Sequence, residues 1–184
     1  MKHDQATTSN ALAAGSLRVE FFRAADRFAH RVSIVDTEGH ETKVAESIEG
    51  SAEEAWPASP ALQECHRETG PDGRPRLLLV GMSGGSHWSM SVETIDEKAI
   101  VFDVACRGRG FPPRVGSAYR WLAPGSVNEG TIQSSVRGCS CALSIEPGTE
   151  IGLRLKGNVV RVERTVVPND SPQTVRWKHV FAIC

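Results

Sequence analysis

The sequence predicts a mostly β chain, folded as a single-domain antiparallel β-barrel or β-sandwich of about ten strands. Three observations lead there. Short segments alternate apolar and polar residues with a period of two. Turn residues interrupt these segments about every 8–12 residues. One stretch, Leu77 to Cys106, can be paired strand against strand with consistent faces.

Taken in order, residues 1–15 are small and polar and are expected to form a disordered tail, leaving 16–184 as the single β domain. Leu17, Val19 and Phe21 alternate with Arg18 and Glu20, and Phe28, His30, Val32 and Ile34 alternate again after a break at 24–27. That is a first hairpin. An excursion over 38–75 then dissolves into charges, Pro and Gly. Within it, Ser51-Ala-Glu-Glu-Ala-Trp56 and Ser59-Pro-Ala-Leu-Gln-Glu-Cys-His66 each open on a serine cap, which predicts one or two short helices.

The central segment reads LLLVGMSGGSHWSMSVE from Leu77 to Glu93. Gly81-Met82-Ser83-Gly84-Gly85 fits G-x-S-x-G and resembles the nucleophile elbow of the α/β-hydrolases. The resemblance implies Ser83 as nucleophile, with Asp103 or Asp170 and then His179 following in the chain order of that family. An elbow needs a helix after its serine. Here Trp88, Met90 and Val92 face one way and His87, Ser89, Ser91 and Glu93 the other, as in a strand. A Gly84-Gly85 hairpin turn accounts for both flanks. It sets Ser83 opposite Ser86, Gly81 opposite Trp88, Leu79 opposite Met90, Leu77 opposite Val92 and Arg76 opposite Glu93. The serine hydrolase is therefore the third-ranked reading, and no residue is assigned a catalytic role.

A loop at Asp96-Glu97-Lys98 brings a third strand alongside, with Val92 opposite Phe102, Met90 opposite Val104, Trp88 opposite Cys106 and Ser91 opposite Asp103. Arg107 to Arg114, rich in Arg, Gly and Pro, reads as a loop. Further strands are expected over 117–122, 131–136, 139–145, 150–155, 158–166 and 174–183. Turns at Pro147-Gly148, at Gly157-Asn158 and over 168–172 separate them.

A formal net charge of -1 over 184 residues gives no global attraction to nucleic acid or to anionic membranes. The start of the chain lacks the apolar core of a signal peptide, and no apolar run is long enough to span a bilayer, so a cytoplasmic location is expected. The five cysteines do not form a disulfide framework. Cys139 and Cys141 share one strand face and could form half a zinc site with Cys65-His66, but their spacing is not that of a zinc pair. Neither metal nor cofactor is expected.

The meander places Leu77, Leu79, Trp88, Met90, Val92, Phe102 and Val104 on one face, as core. Its other face mixes Leu78, Val80, Met82, Val101 and Ala105 with His87, Ser89, Ser91, Glu93 and Asp103. Small and apolar residues among polar ones suit the wall of a partly filled cavity. The candidate ligand-binding residues are therefore His87, Ser89, Ser91 and Asp103, with Arg107 and Arg109 at the mouth. His30 or Arg120 would be needed from other strands for any chemistry. Arg161, Arg164, Arg176 and Lys178 crowd the last two strands, interrupted by Glu163. The leading expectation is a non-enzymatic domain that binds a small or anionic ligand. The alternative is a protein-interaction or structural domain whose second face is an outer surface or a homodimer contact. Nucleic acid and membrane are not expected partners.

Overall fold

The computed structural model describes residues 10–128, 130–136, 138–146 and 150–184. Among these, fifteen strands and no helix build two antiparallel sheets. Seven strands form the first sheet: β1 (Ala11–Ala14), β2 (Leu17–Ala24), β3 (Arg27–Val35), β4 (Glu41–Ser47), β9 (Arg114–Trp121), β14 (Val159–Thr165) and β13 (Ile151–Lys156), side by side in that order. Eight form the second, in the order β10 (Gly125–Asn128), β11 (Thr131–Val136), β12 (Cys139–Ile145), β15 (Gln173–Ile183), β8 (Ala99–Gly108), β7 (Ser86–Thr94), β6 (Pro75–Ser83) and β5 (Glu64–Thr69). Each sheet ends on free edge strands, so neither closes. The architecture is a sandwich, and the barrel alternative is set aside.

The β6–β7–β8 meander follows the pairing expected from its sequence. Gly81 faces Trp88, Leu79 faces Met90, Val92 faces Phe102 and Trp88 faces Cys106. Its seven apolar residues are all buried, beside Leu17, Val19, Val32, Ile100, Val160, Val162 and Phe181. Gly84 takes a φ of 55° in the two-residue turn, where a glycine carries no steric penalty. Ser83 is the last residue of β6, and its hydroxyl donates to the Glu54 carbonyl at 2.6 Å. The G-x-S-x-G segment is thus a hairpin, with a strand where an elbow has its helix.

Four strands depart from expectation. Ala11–Ala14, assigned by composition to the tail, pair with Leu17–Glu20 as β1. The 38–75 excursion contains β4 and β5 and no helix, and residues 51–63 run as turns, bends and irregular chain. β10 adds a short edge. Strand β8 runs through Arg107 to Gly108 and β9 begins at Arg114, which shortens the expected Arg107–Arg114 loop to five residues, 109–113. The expected turn at Pro147-Gly148 lies outside the described residues.

The segment at Ala61–Gln63 explains Gly81. A Cβ on Gly81 would lie 2.1 Å from the Ala61 carbonyl oxygen, so only glycine admits this close approach. Gln63 continues the contact: its side chain accepts from the Met82 amide at 2.7 Å and donates to the Met82 carbonyl at 3.1 Å. A side-chain amide here completes the hydrogen bonds of a neighbouring strand.

Truncating Phe102, fully buried between the sheets, to alanine is expected to cost about 3–5 kcal/mol in urea unfolding. Gly84→Val is expected to cost about 1–3 kcal/mol through its positive φ alone. A loss below about 1 kcal/mol for Phe102→Ala would mean that the inner and outer faces are inverted.

Candidate functional site

On the outer face of the eight-stranded sheet, antiparallel pairing arranges side chains in rows across the strands. Thr174, Arg107, His87 and Met82 form one row. Arg176, Ala105, Ser89, Val80 and Glu64 form the next. Lys178, Asp103, Ser91, Leu78 and His66 form a third. Ala105 and Ser89 are small, so the middle row sinks between its neighbours and leaves an open groove of about 620 Å³. Val80 and Met82 form an exposed apolar floor, 42% and 53% accessible. Arg107 and His87 form one wall.

A second concavity of about 590 Å³ shares His87 and Arg107 and continues to Arg109, Ser86 and Trp56. Neither the Arg107 nor the Arg109 guanidinium has a hydrogen-bond or ion-pair partner among the described residues. The Arg107 guanidinium stands where the two hollows meet and Arg109 lines the second, so an oxyanion can take forked hydrogen bonds there, while Val80 and Met82 offer apolar surface to the rest of a ligand.

The structure therefore brings together four of the six candidates and separates two. His87, Ser89 and Arg107 line the groove, and Arg109 lies just beyond it. Asp103 turns away, toward Lys178 Nζ at 3.1 Å and Arg176 Nη2 at 3.8 Å. No hydrogen bond joins it to Ser91 among the described residues. The surface is also open rather than an enclosed cavity. Gln63, Thr174 and Trp56 complete the two hollows, and no periodic signal marked them.

Cys65 lies on β5 at one edge of this sheet, whereas Cys139 and Cys141 lie on β12, five strand positions away. At the usual strand separation that is roughly 24 Å, too far for a shared zinc ion. Burial pushes the Cys141 thiol up to about 12.

His30 and His179 are buried inside the sandwich. The Tyr119 hydroxyl lies 3.1 Å from His30 Nε2 and 2.6 Å from His179 Nε2, linking β3, β9 and β15. Phe102 stacks on both imidazoles, at 5.2 and 4.9 Å between ring centres. Burial among these groups holds both imidazoles down from 6.5 to about 3, His30 adding to the effect on His179. Both are neutral, so the hydroxyl donates to one Nε2 and accepts from the other. His179 Nδ1 is buried without a partner. An orphaned acceptor is more tolerable than an orphaned N–H, which places the His179 proton on Nε2 and directs the Tyr119 proton to His30. His30 and His179 are thus committed to the interior and are not available to the outer groove. Nearby, the His30 amide donates to Ser47 Oγ, whose hydroxyl donates to Glu49 at 2.6 Å. Burial raises the Glu49 carboxyl to about 7, against the lowering effect of that hydrogen bond.

Fold and surface together define an antiparallel β-sandwich with an open, cation-walled groove on one sheet. No family model and no curated protein match the chain. Among solved structures it is similar to a heparinase III with methylated lysines, with a TM-score of 0.51 and 12% identity, over 94% of this chain and 35% of that one. The chain thus spans about a third of that protein's length. At this identity the likeness shows the fold alone.

The buried groups set the pH dependence of stability. For the two histidines the folded values lie below the unfolded ones, so their contribution is complete above about 6.5 and is lost as pH falls toward 3. Glu49 acts oppositely: its value is raised, so its contribution is complete below about 4.5 and is lost as pH rises through 7. Between 4.5 and 6.5 the two effects partly cancel; below 4.5 the histidines act without that opposition. Urea unfolding from pH 7.5 to 4 should show Glu49→Gln steepening the decline between 6.5 and 4.5. It should show His179→Gln flattening it. Unchanged profiles in both variants would contradict these assignments.

Proposed function

We propose that this chain is a non-catalytic ligand-binding β-sandwich domain, and that the groove on its eight-stranded sheet takes a small anionic ligand with an apolar body. The observation that carries the reading is the pairing of two unpartnered guanidiniums, Arg107 and Arg109, with an exposed apolar floor at Val80 and Met82. An unpaired arginine on a solvated sheet is unremarkable. One at the wall of an apolar trough, with a second in the adjoining hollow, forms a surface that a carboxylate or phosphate on a hydrocarbon or ring scaffold fits well. His87, in the same row as Arg107, adds a hydrogen-bonding group at that wall, and Ser89 and Ala105 leave the room.

A second reading, a protein-interaction face, is favoured by one feature. Val80 and Met82 lie side by side on β6, next to the free edge strand β5, as a homodimer contact would need.

Thermal-shift titration with aromatic carboxylates and phosphates separates the two. Ligand-binding predicts stabilisation that Arg107→Gln weakens by roughly tenfold or more in apparent affinity, the value of one charge-assisted contact. It also predicts that Ser89→Leu, which fills the trough, abolishes the effect while the fold is retained. A lack of response across the panel, with dimerisation in sedimentation that Met82→Glu disrupts, would replace it with the interaction reading.

A further inference from the structure

The outer face of the seven-stranded sheet carries a second concentration of charge. Arg154 on β13 lies directly opposite Arg161 on β14, and both are exposed. Directly opposed like charges destabilise an antiparallel pair. Lys156 and Arg120 flank the same position, each the cross-strand partner of Val159 from one side. None of these four cations has an ion-pair or hydrogen-bond partner among the described residues. Arg114 stands beside them and pairs with Glu163 at 3.8 Å. Arg114, Arg154, Lys156, Val159, Arg161 and Glu163 line a concavity of about 660 Å³. It shares Arg114, Arg161 and Glu163 with a smaller hollow of about 200 Å³ that reaches Pro57 and the half-buried Trp56. On a chain of net charge -1 this is a local accumulation of positive charge.

We propose that this face is a second binding site, for a linear polyanion of the acidic-glycan class, with one sulfate or carboxylate group seated between Arg154 and Arg161. An oxyanion there converts a repulsive pair into two forked, charge-assisted contacts. Lys156 lies two residues along the strand from Arg154, about 6.6 Å by strand rise, and Arg120 lies one strand beyond β14. The cations thus recur at intervals along and across the sheet, an arrangement that favours a polymer with repeated anionic groups over a single ion. Trp56 is the one aromatic among the lining residues and stands at the far end. Single-stranded nucleic acid relies on a succession of stacking rings, which this trough lacks. The hollow at the far end meets the concavity beside Arg109 at Trp56, whereas Arg154, Lys156 and Arg161 line this face alone.

The test uses the full chain, titrated with dextran sulfate, with neutral dextran of the same length and with oligothymidylate, at 50 and 200 mM NaCl. Dextran sulfate is expected to bind and neutral dextran not, with affinity falling as salt rises. Arg154→Gln with Arg161→Gln should lower that affinity by roughly tenfold or more, whereas Lys98→Gln, an exposed cation outside every concavity described above, leaves it unchanged. Both positions are exposed, and circular dichroism checks that the fold is kept. In the free protein, Arg154→Gln should raise the melting temperature, because it removes the opposed charge. Absence of dextran sulfate binding at 50 mM NaCl would overturn the proposal. So would unchanged affinity in the double variant, or oligothymidylate binding as tightly as dextran sulfate.

Discussion

The Tyr119 hydroxyl and the His179 imidazole meet at 2.6 Å in the middle of the sandwich, and the packing of the two sheets depends on that contact and its neighbours. Strand β9 turns three successive inward side chains, Ser117, Tyr119 and Trp121, across to the other sheet. Ser117 accepts from Trp177 Nε1 at 3.1 Å, Tyr119 meets His179, and Trp121 Nε1 donates to Ser134 at 2.7 Å. Each joins buried polar atoms that would be costly to leave unpaired. Apolar contact alone is non-directional and would let the sheets slide. Three polar contacts at alternate residues of one strand fix their relative position, because a shift leaves several donors or acceptors stranded at once.

This arrangement fills the interior. His30, Phe102, Tyr119, His179 and Phe181 pack ring against ring where a ligand cavity would otherwise lie. Surface available for binding is therefore on the outer faces, where small residues and unpaired cations sit on rigid strands. The same pairing that buries Leu77, Met90 and Val104 aligns Arg107 with His87, and Ala105 with Ser89. Position on the outer face is set by the core beneath it.

Much of this was legible in the sequence where structure is local. The β6–β7–β8 meander joins neighbouring strands through tight turns, so its register could be read from apolar residues opposing apolar ones. β4 was not legible because Val44 and Ala45 are consecutive and both buried, where β3 shifts register between Val32 and Ser33. The shift breaks the period of two on which recognition depends. β5 is an edge strand with little buried surface, so Glu64-Cys-His-Arg-Glu-Thr69 shows no apolar alternation, and the serine and proline before it resemble a helix start. Of the candidate residues, His87, Ser89 and Arg107 line one groove and Arg109 lies just beyond it, because strand alternation places them on one face or at its end. The ion pairs of Asp103 with Lys178 and Arg176 were not legible, because those partners lie on β15, a strand whose pairing periodicity cannot assign. The buried trio was missed for the same reason: His30 and Tyr119 are 89 residues apart, Tyr119 and His179 60.

The most direct test of the central claim is nitrogen-15 NMR of the imidazole rings in the native protein, followed from pH 7.5 to 4.5. Both His30 and His179 should remain neutral across the range. His179 should carry its proton on Nε2, and Tyr119→Phe should shift the resonances of both rings. Titration of either ring near 6.5 in the folded protein would contradict the account, since it would place that histidine in contact with water and, for His179, remove the bridge between the sheets.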